Sequence, residues 1–241
     1  MSTRSADAST ALGAKLADIV TARPSSAAVL QYFGLDYCCG GQRTLQEAAL
    51  ADGVDVDSVL AALSALDAVP SAPVESDWAS MGPAELVDHL EAVHHAYLHQ
   101  ELPRLDALAE KVATVHGERH PELLAVRADV RALVDDLDPH LAKEERVLFP
   151  LIRELAAAVS AGGTPSSPLT APIQVMRMEH DHTGELLAKL RTDSLDFALP
   201  DDACGSYQAL YKGLVELEAD THLHVHKENN VLFPAVEALG A

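Results

Sequence analysis

The stretches HLAKEERVLFP (residues 140–150) and HVHKENNVLFP (residues 224–234) are near copies of each other, 84 residues apart. Each begins with a histidine that is followed four residues later by a glutamate. In an α-helix, residues four apart lie on the same face. The same face carries Leu133, Leu137 and Val147–Leu148 in the first copy. The repeat therefore predicts two helices that each turn a His–Glu pair toward an apolar core.

The repeat extends to the helices that precede these stretches. Val93-His94-His95, followed by Glu101-Leu102, corresponds to Met178-Glu179-His180, followed by Glu185-Leu186. His95 and His180 are 85 residues apart, which is nearly the same period. We therefore expect two related halves around an approximate twofold axis, with the two His-x-x-x-Glu pairs facing each other.

Helical periodicity and turn residues predict an all-α protein. The second part of the chain contains four long helical patterns, which we place at Pro83–His116, Pro121–Val159, Pro172–Thr192 and Asp202–Leu239. Short connections between four helices favour an up-down-up-down four-helix bundle. Prolines at 139, 150 and 234 fall inside these patterns and predict kinks or short breaks.

A proline-bearing stretch, VPSAPVESDW (residues 69–78), divides the chain. We predict a small helical N-terminal domain at residues 1–70, a linker at 71–80 and the bundle at 81–241. Thr44 and Glu47 form a capping-box pattern at the start of one of the short helices. Some 70 residues bury only a thin core, so we expect the first domain to be marginal alone or to lean on its neighbour.

The amino-acid composition limits the classes of partner that we expect the chain to bind. The formal net charge is −20, which repels phosphate backbones and anionic lipids, so nucleic acid and membrane surfaces are poor partners. We see neither a signal peptide nor an apolar run long enough to span a bilayer. Three cysteines are too few for a disulfide scaffold, and a cytoplasmic location is the default. Monomer and homodimer are both open.

The repeated His and Glu residues predict a metal site. An ionised glutamate in a bundle interior costs several kcal/mol unless it is paired or bound to a cation. Six mixed nitrogen and oxygen ligands on four helices suit two metals that share bridging carboxylates, with iron favoured over manganese. Open positions would remain for an oxo or hydroxo group or a small molecule. The predicted ligands are His95, His140, Glu144, His180, His224 and Glu228.

The remaining histidines and the cysteines have alternative interpretations. His99, one turn after His95, is the one serious extra ligand candidate. We expect His116 and His226 to be exposed or, at most, to support the ligands. Cys38 and Cys39 either pack as small residues in a Gly-Gly turn or are exposed, reactive thiols at a helix end. We expect Cys204 to be a buried small residue.

At the repeated blocks and at DYCCGG (residues 36–41) the chain resembles the Repair of Iron Centers (RIC) family. Its ScdA/YtfE-type members join a short N-terminal domain to a hemerythrin-like di-iron bundle. The resemblance covers roughly Leu12 to Leu239 and is carried also by Glu179-His180-Asp181. It implies two non-haem irons, bridged by oxo or hydroxo groups and by carboxylates, on the six ligands given above.

The resemblance also implies a role in repairing iron–sulfur clusters damaged by nitric oxide or oxidants, with the di-iron centre supplying labile iron. Damaged iron–sulfur proteins are then the partners, nitric oxide or dioxygen the small ligands, and the electron donor is unknown. Cys38 and Cys39 would deliver iron or handle electrons. Gly184 stands where oxygen-carrying hemerythrins have a further histidine, which implies more open coordination. The alternatives are a nitric oxide or dioxygen reductase and a non-catalytic gas sensor.

Overall fold

The computed structural model describes residues 11–66, 77–163 and 169–240, and these residues are helical without a β-strand. They form two compact units, each of which combines segments from two separate parts of the chain. One unit takes the described residues up to Gly82 together with His222–Pro234, and the other takes Pro83–Thr221 with the residues from Ala235 onward. Most of the predicted linker at 71–80 lies outside the described residues. The predicted domain limits stay a prediction.

Among its described residues, the N-terminal unit has four short α-helices whose two ends are both described. They are α1 (Leu16–Ala22), α2 (Ser26–Tyr32), α3 (Leu45–Asp52) and α4 (Val56–Ala65). The capping box is confirmed, because the Thr44 side chain accepts from the Glu47 amide while the Glu47 carboxylate accepts from the Thr44 amide. Gly34 follows α2 at a φ of 70°, a conformation that glycine adopts without steric cost.

The core of the N-terminal unit includes a residue from far along the chain. Leu16, Leu30 and Leu45 are fully buried in it, and Val225 belongs to the same apolar cluster. Asn230 adds polar contacts, because its side-chain amide donates to the Cys38 carbonyl at 2.9 Å. The thin core expected for 70 residues is therefore completed by the segment His222–Pro234.

The bundle is built from four long helical stretches. The first comprises α5 (Pro83–Leu90), a π-helical turn (Glu91–His95) and α6 (Ala96–His116). The second comprises α7 (Glu122–Lys143), a π-helical turn (Glu144–Leu148) and α8 (Phe149–Ser160). The third is α9 (Thr170–Asp193), and the fourth runs through α10 (Gly205–Lys227), a π-helical turn (Glu228–Leu232) and α11 (Phe233–Leu239). All four predicted patterns are confirmed as helices.

Ion pairs and hydrogen bonds show that neighbouring bundle helices run antiparallel. For each two consecutive stretches, a residue early in the one pairs with a residue late in the next. These pairs are Asp88–Arg153, Asp129–Lys189 and Arg177–Glu237. His94 pairs with Asp220 and thereby joins the first and fourth stretches in the same sense. The order is up-down-up-down, as predicted.

The interior of this unit contains an apolar cluster to which all four stretches contribute. Leu105, Leu133, Leu190 and Leu210 are fully buried in it. Leu148 is buried as predicted, but its neighbour Val147 is 56% exposed, so the inward stripe does not include Val147. Of the helices in the described residues, none has the length and apolar character required to cross a bilayer.

The prolines inside the second and fourth stretches behave differently from one another. Pro139 lies within α7, and of the kink or short break predicted there the break does not occur. Pro150 and Pro234 are the second residues of α8 and α11, directly after π-helical turns. A proline cannot donate a backbone hydrogen bond to the preceding turn. The wider π turn lies where a regular α-helix would need that donor.

Candidate metal centre

Glu144 is the centre of a buried polar cluster in the bundle unit. Its side chain has no exposed surface, and its Oε2 atom lies 3.4 Å from Nε2 of His95 and 3.4 Å from Nε2 of His140. His180 belongs to the same cluster, since one potential ligand atom each from His140, Glu144 and His180 lies within 4.8 Å of the others. A carboxylate and three imidazoles thus lie together in the interior of the unit.

Two of these imidazoles also bond a second carboxylate through Nδ1, the nitrogen that is not the one next to Glu144. We call Glu145 and Glu179, which supply these bonds, the outer carboxylates. Nδ1 of His95 lies 3.0 Å from Oε1 of Glu145, and Nδ1 of His140 lies 2.9 Å from Oε2 of Glu179. Metal-binding histidines commonly have such partners, which fix the tautomer and aim the free nitrogen at the metal. With the proton held on Nδ1, Nε2 of each ring presents a lone pair toward Glu144.

Hydrogen bonds from neighbouring side chains keep the outer carboxylates charged. Partial burial raises the pKa of Glu145, but hydrogen bonds from His99 and His95 outweigh it, so this pKa lies below its usual value. Burial likewise opposes ionisation of Glu179, and its bonds with Lys143 and His140 lower its pKa overall. Both carboxylates are therefore ionised acceptors at neutral pH, which is the state that holds a neutral imidazole by its N–H.

The helix geometry is altered at the cluster. His95 ends the π-helical turn Glu91–His95, and Glu144 begins the π-helical turn Glu144–Leu148. The turn Glu228–Leu232 begins at the repeated glutamate, as the 84-residue period predicts. π turns rotate the following residues relative to an α-helix and are frequent at functional sites. The repeat is thus visible in backbone conformation as well as in sequence.

His224 and Glu228 form the second predicted pair, on the segment that belongs to the N-terminal unit. Both side chains are buried, and Nε2 of His224 lies 3.2 Å from Oε1 of Glu228. The two residues are one helical turn apart, as the i, i+4 spacing requires. That this pair completes one centre with the four residues of the bundle unit stays a prediction.

The cysteine turn of the N-terminal unit is organised by Asp36. Its carboxylate accepts hydrogen bonds from the backbone amides of Cys38, Cys39 and Gly40 at 2.7–3.0 Å. The Cys38 side chain is buried, and its Sγ lies 3.2 Å from Asp36 Oδ1 and 3.9 Å from Sγ of Cys39. The hydrogen bond with Cys39, followed by burial, raises the pKa of Cys38 well above its ordinary value.

This environment corrects part of the expectation for the pair. Cys38 is a buried, protonated thiol rather than an exposed thiolate, because both burial and the nearby Asp36 carboxylate disfavour a second negative charge. Cys39 is half-buried and is the more accessible sulfur. The turn precedes α3 instead of capping a helix, since Thr44 occupies the N-cap position.

Other expectations for single residues are corrected as well. His99 bonds Glu145 at 2.7 Å and is 51% exposed, so it supports the carboxylate that holds His95. His116 and His226 are buried rather than exposed. Burial lowers the pKa of His226 to about 4, and its Nδ1 lies 3.3 Å from the Tyr37 carbonyl oxygen. Cys204, expected to be buried, is exposed.

The donor set of the bundle cluster fits iron. Three imidazoles and a carboxylate supply borderline nitrogen and hard oxygen atoms, which suit iron, whereas structural zinc sites are usually closed with thiolates. The described cysteines are not among the cluster's members. Burial of a carboxylate costs free energy that binding to a metal cation offsets.

Comparison with known proteins agrees with the domain content. The model of the hemerythrin HHE cation binding domain matches residues 86–236. A second model, of a domain of unknown function (DUF542, ScdA_N), matches residues 12–67. Together they cover the bundle helices and the four short N-terminal helices.

Similarity to individual proteins extends over nearly the full length. The iron-sulfur cluster repair protein YtfE of Enterobacter sp. (strain 638) is 35% identical over 219 residues, which are 91% of this chain and 94% of that protein. Proteins of the same name from Musicola paradisiaca (strain Ech703) and Escherichia coli O157:H7 are 36% and 35% identical, with the same coverage. The chain belongs to the Repair of Iron Centers family. Membership of the RIC family implies an iron-binding bundle.

The outer carboxylates of this RIC chain are not among the site residues predicted from the sequence. Glu145 directly follows Glu144, and Glu179 directly precedes His180. A carboxylate next to a predicted ligand was therefore the available signal. It was insufficient because each glutamate holds a histidine on a different helix, and helix pairing is decided only in the folded chain.

Proposed function

We propose that the chain holds two iron ions on His95, His140, Glu144, His180, His224 and Glu228 and uses them in the repair of damaged iron–sulfur clusters. The observation that carries the proposal is the buried Glu144 carboxylate, which has imidazole Nε2 atoms of two helices at 3.4 Å. The names of the relatives, iron-sulfur cluster repair proteins, supply the biological context. When bound, the irons supply a labile stock of metal and a centre open to small molecules.

Different residues of the chain have different roles in binding this iron. Glu144 offers two carboxylate oxygens at the centre of the cluster and so can bridge two cations. Glu145 and Glu179 keep the protons of His95 and His140 on the outer nitrogen, which leaves the inner nitrogen as a donor. The 84-residue repeat supports Glu228 and His224 as the corresponding bridge and imidazole of the second half.

Iron leaves such a site when its donors are protonated or competed for, and the fewer the protein ligands, the fewer bonds must break. Six side chains for two irons leave coordination positions that the protein does not fill. This count supports iron supply to a damaged iron–sulfur protein over permanent storage. Cys39, the more accessible sulfur of its turn, is the better candidate for passing iron on, because Cys38 is buried.

Metal analysis of anaerobically purified protein tests the centre. We expect about two irons per chain and a loss of most of this iron in Glu144→Gln. Glu154→Gln is the matched control, since it removes the same charge from an exposed position one turn into α8. Unchanged iron in Glu144→Gln, or one tightly held zinc in the wild type, would refute the ligand assignment.

A repair assay tests the function separately. A cluster enzyme inactivated by nitric oxide is incubated with iron-loaded protein, with Glu144→Gln protein and with free ferrous iron at the same total iron. We expect recovery with the loaded protein above that with free iron, and none with the variant. Sustained nitrous oxide formation from nitric oxide and a reductant, without recovery of the enzyme, would instead assign a reductase.

A further inference from the structure

A cysteine and a histidine that are not predicted metal ligands lie side by side in the bundle unit. Sγ of the exposed Cys204 is 3.1 Å from Nε2 of His116, and only 6% of His116 is exposed. His116 is the last residue of α6, and the predicted ligand His95 directly precedes the first residue of α6. About 21 residues, or roughly 30 Å at 1.5 Å per residue, therefore separate the two histidines. Nothing in the proposed iron chemistry uses this pair.

The imidazole of His116 is committed to the thiol. Its Nδ1 atom is buried and has no hydrogen-bond partner among the described residues, unlike Nδ1 of His95 and His140, which carboxylates hold. The Tyr207 ring packs against His116, with ring centroids 5.8 Å apart, and limits its movement. A histidine fixed in this way, with one nitrogen at hydrogen-bond distance from an exposed sulfur, is placed to act as its base.

The position of Cys204 on the backbone favours the same chemistry. Its carbonyl oxygen accepts the Gln208 amide at 3.0 Å, so Cys204 is the residue that opens α10, a helix of 23 residues. Unpaired amides at a helix N-terminus stabilise a negative charge that develops there. A cation also lies beside the neighbouring residue Ser206, whose hydroxyl accepts from Lys111 Nζ at 3.3 Å.

We propose that Cys204, with His116 as its base, is a site of reversible modification by low-molecular-weight disulfides. His116 Nε2 takes the proton from Sγ, and the sulfur attacks one sulfur of the small disulfide. The S–S bond of that disulfide breaks, a mixed disulfide forms on Cys204, and the leaving thiolate takes up the proton. Cys204 is oxidised, and the departing half of the disulfide is reduced to a thiol.

Metal binding at this place has less support. Among the described residues, Cys204, His116 and their neighbours do not form a group of three potential ligands within reach of a common ion. The nearby His120 is engaged elsewhere, with Asp202 at 2.9 Å and Glu122 at 3.4 Å. A small disulfide needs only one accessible sulfur and one base, which are the groups present.

The test uses the full-length, iron-loaded protein and oxidised glutathione at pH 7. Peptide mass spectrometry locates the adduct, and the rate is compared between native protein and protein unfolded in denaturant. An ordinary thiol is only a few per cent ionised at this pH, so we expect native Cys204 to react about tenfold faster than in the unfolded chain. His116→Asn should lose that advantage. His120→Asn, the matched control, should retain it, because His120 bonds Asp202 rather than the thiol.

The pH profile separates a base from a structural role. The difference between wild type and His116→Asn should shrink as the pH rises past the range where ordinary thiols ionise, because the base is then unnecessary. An adduct absent from Cys204, or a native rate equal to that of the unfolded chain, would overturn the proposal. The latter comparison needs no variant, so it decides the question even if His116→Asn does not fold. An equal rate in folded His116→Asn would also overturn it.

Discussion

Glu145 fixes which nitrogen of His95 faces Glu144, and its removal should weaken iron binding without removing a ligand. In Glu145→Ala the 3.0 Å bond to Nδ1 of His95 is lost. A hydrogen bond to a charged group contributes about 1.5–3 kcal/mol, and outer partners of metal-bound histidines typically change metal affinity 10- to 100-fold. The Glu145 side chain is 31% exposed, so screening places the expected loss at about tenfold to thirtyfold.

Anaerobic competition between the apoprotein and a coloured ferrous chelator measures this affinity. His99→Asn is the matched control: it removes the outer imidazole at 2.7 Å from Glu145 but leaves the bond between Glu145 and His95. We expect its effect to stay under about threefold, because that bond is exposed. Wild-type affinity in Glu145→Ala would refute the positioning role. An equal, large loss in His99→Asn would mean that His99 is itself a ligand.

The remaining predictions concern stability and thiol chemistry. Arg191→Met should destabilise the bundle by about 3–5 kcal/mol in chemical denaturation, because it leaves the buried Glu218 carboxylate without its bidentate partner. Arg131→Met, which removes two surface ion pairs, with Asp106 and Asp135, should change stability by about 1 kcal/mol or less. Gly41→Ala should cost about 1–3 kcal/mol, since its Cβ would lie 2.5 Å from a backbone oxygen; full stability by thermal melting would contradict this. The raised pKa of Cys38 implies stability that is complete below the ordinary thiol range and is lost as pH rises through the raised value. Cys38→Ala should therefore flatten the loss of stability at alkaline pH, and an unchanged pH profile would count against a buried, protonated thiol.

The candidate ligands on each helix could be predicted to share a face because their spacing is local. The i, i+4 spacing of His140 and Glu144 puts both on one face whatever surrounds the helix. The capping box at Thr44 is equally local, since its two partners are three residues apart. Helix limits were correct to within a few residues for the same reason: prolines and glycines act on their own turn.

Burial of single side chains was harder to predict. Cys204 was expected inside and is exposed, whereas His116 was expected outside and is buried. A single cysteine or histidine belongs to no periodic pattern, so the sequence does not indicate whether it lies on the buried or the exposed face of its helix. Its environment depends on where another helix begins or ends: Cys204 lies at the start of α10, and His116 at the end of α6.

The sequence alone determined the all-α class, the four bundle helices and the repeat that marks the candidate ligands, because each depends on residues within a turn or two of one another. Tertiary structure decided which carboxylate holds which histidine, since Glu145 and His95 are 50 residues apart. It also decided that Val225 belongs to the same apolar cluster as Leu16. Contacts of that kind depend on the packing of whole helices, and no local pattern in the chain encodes them.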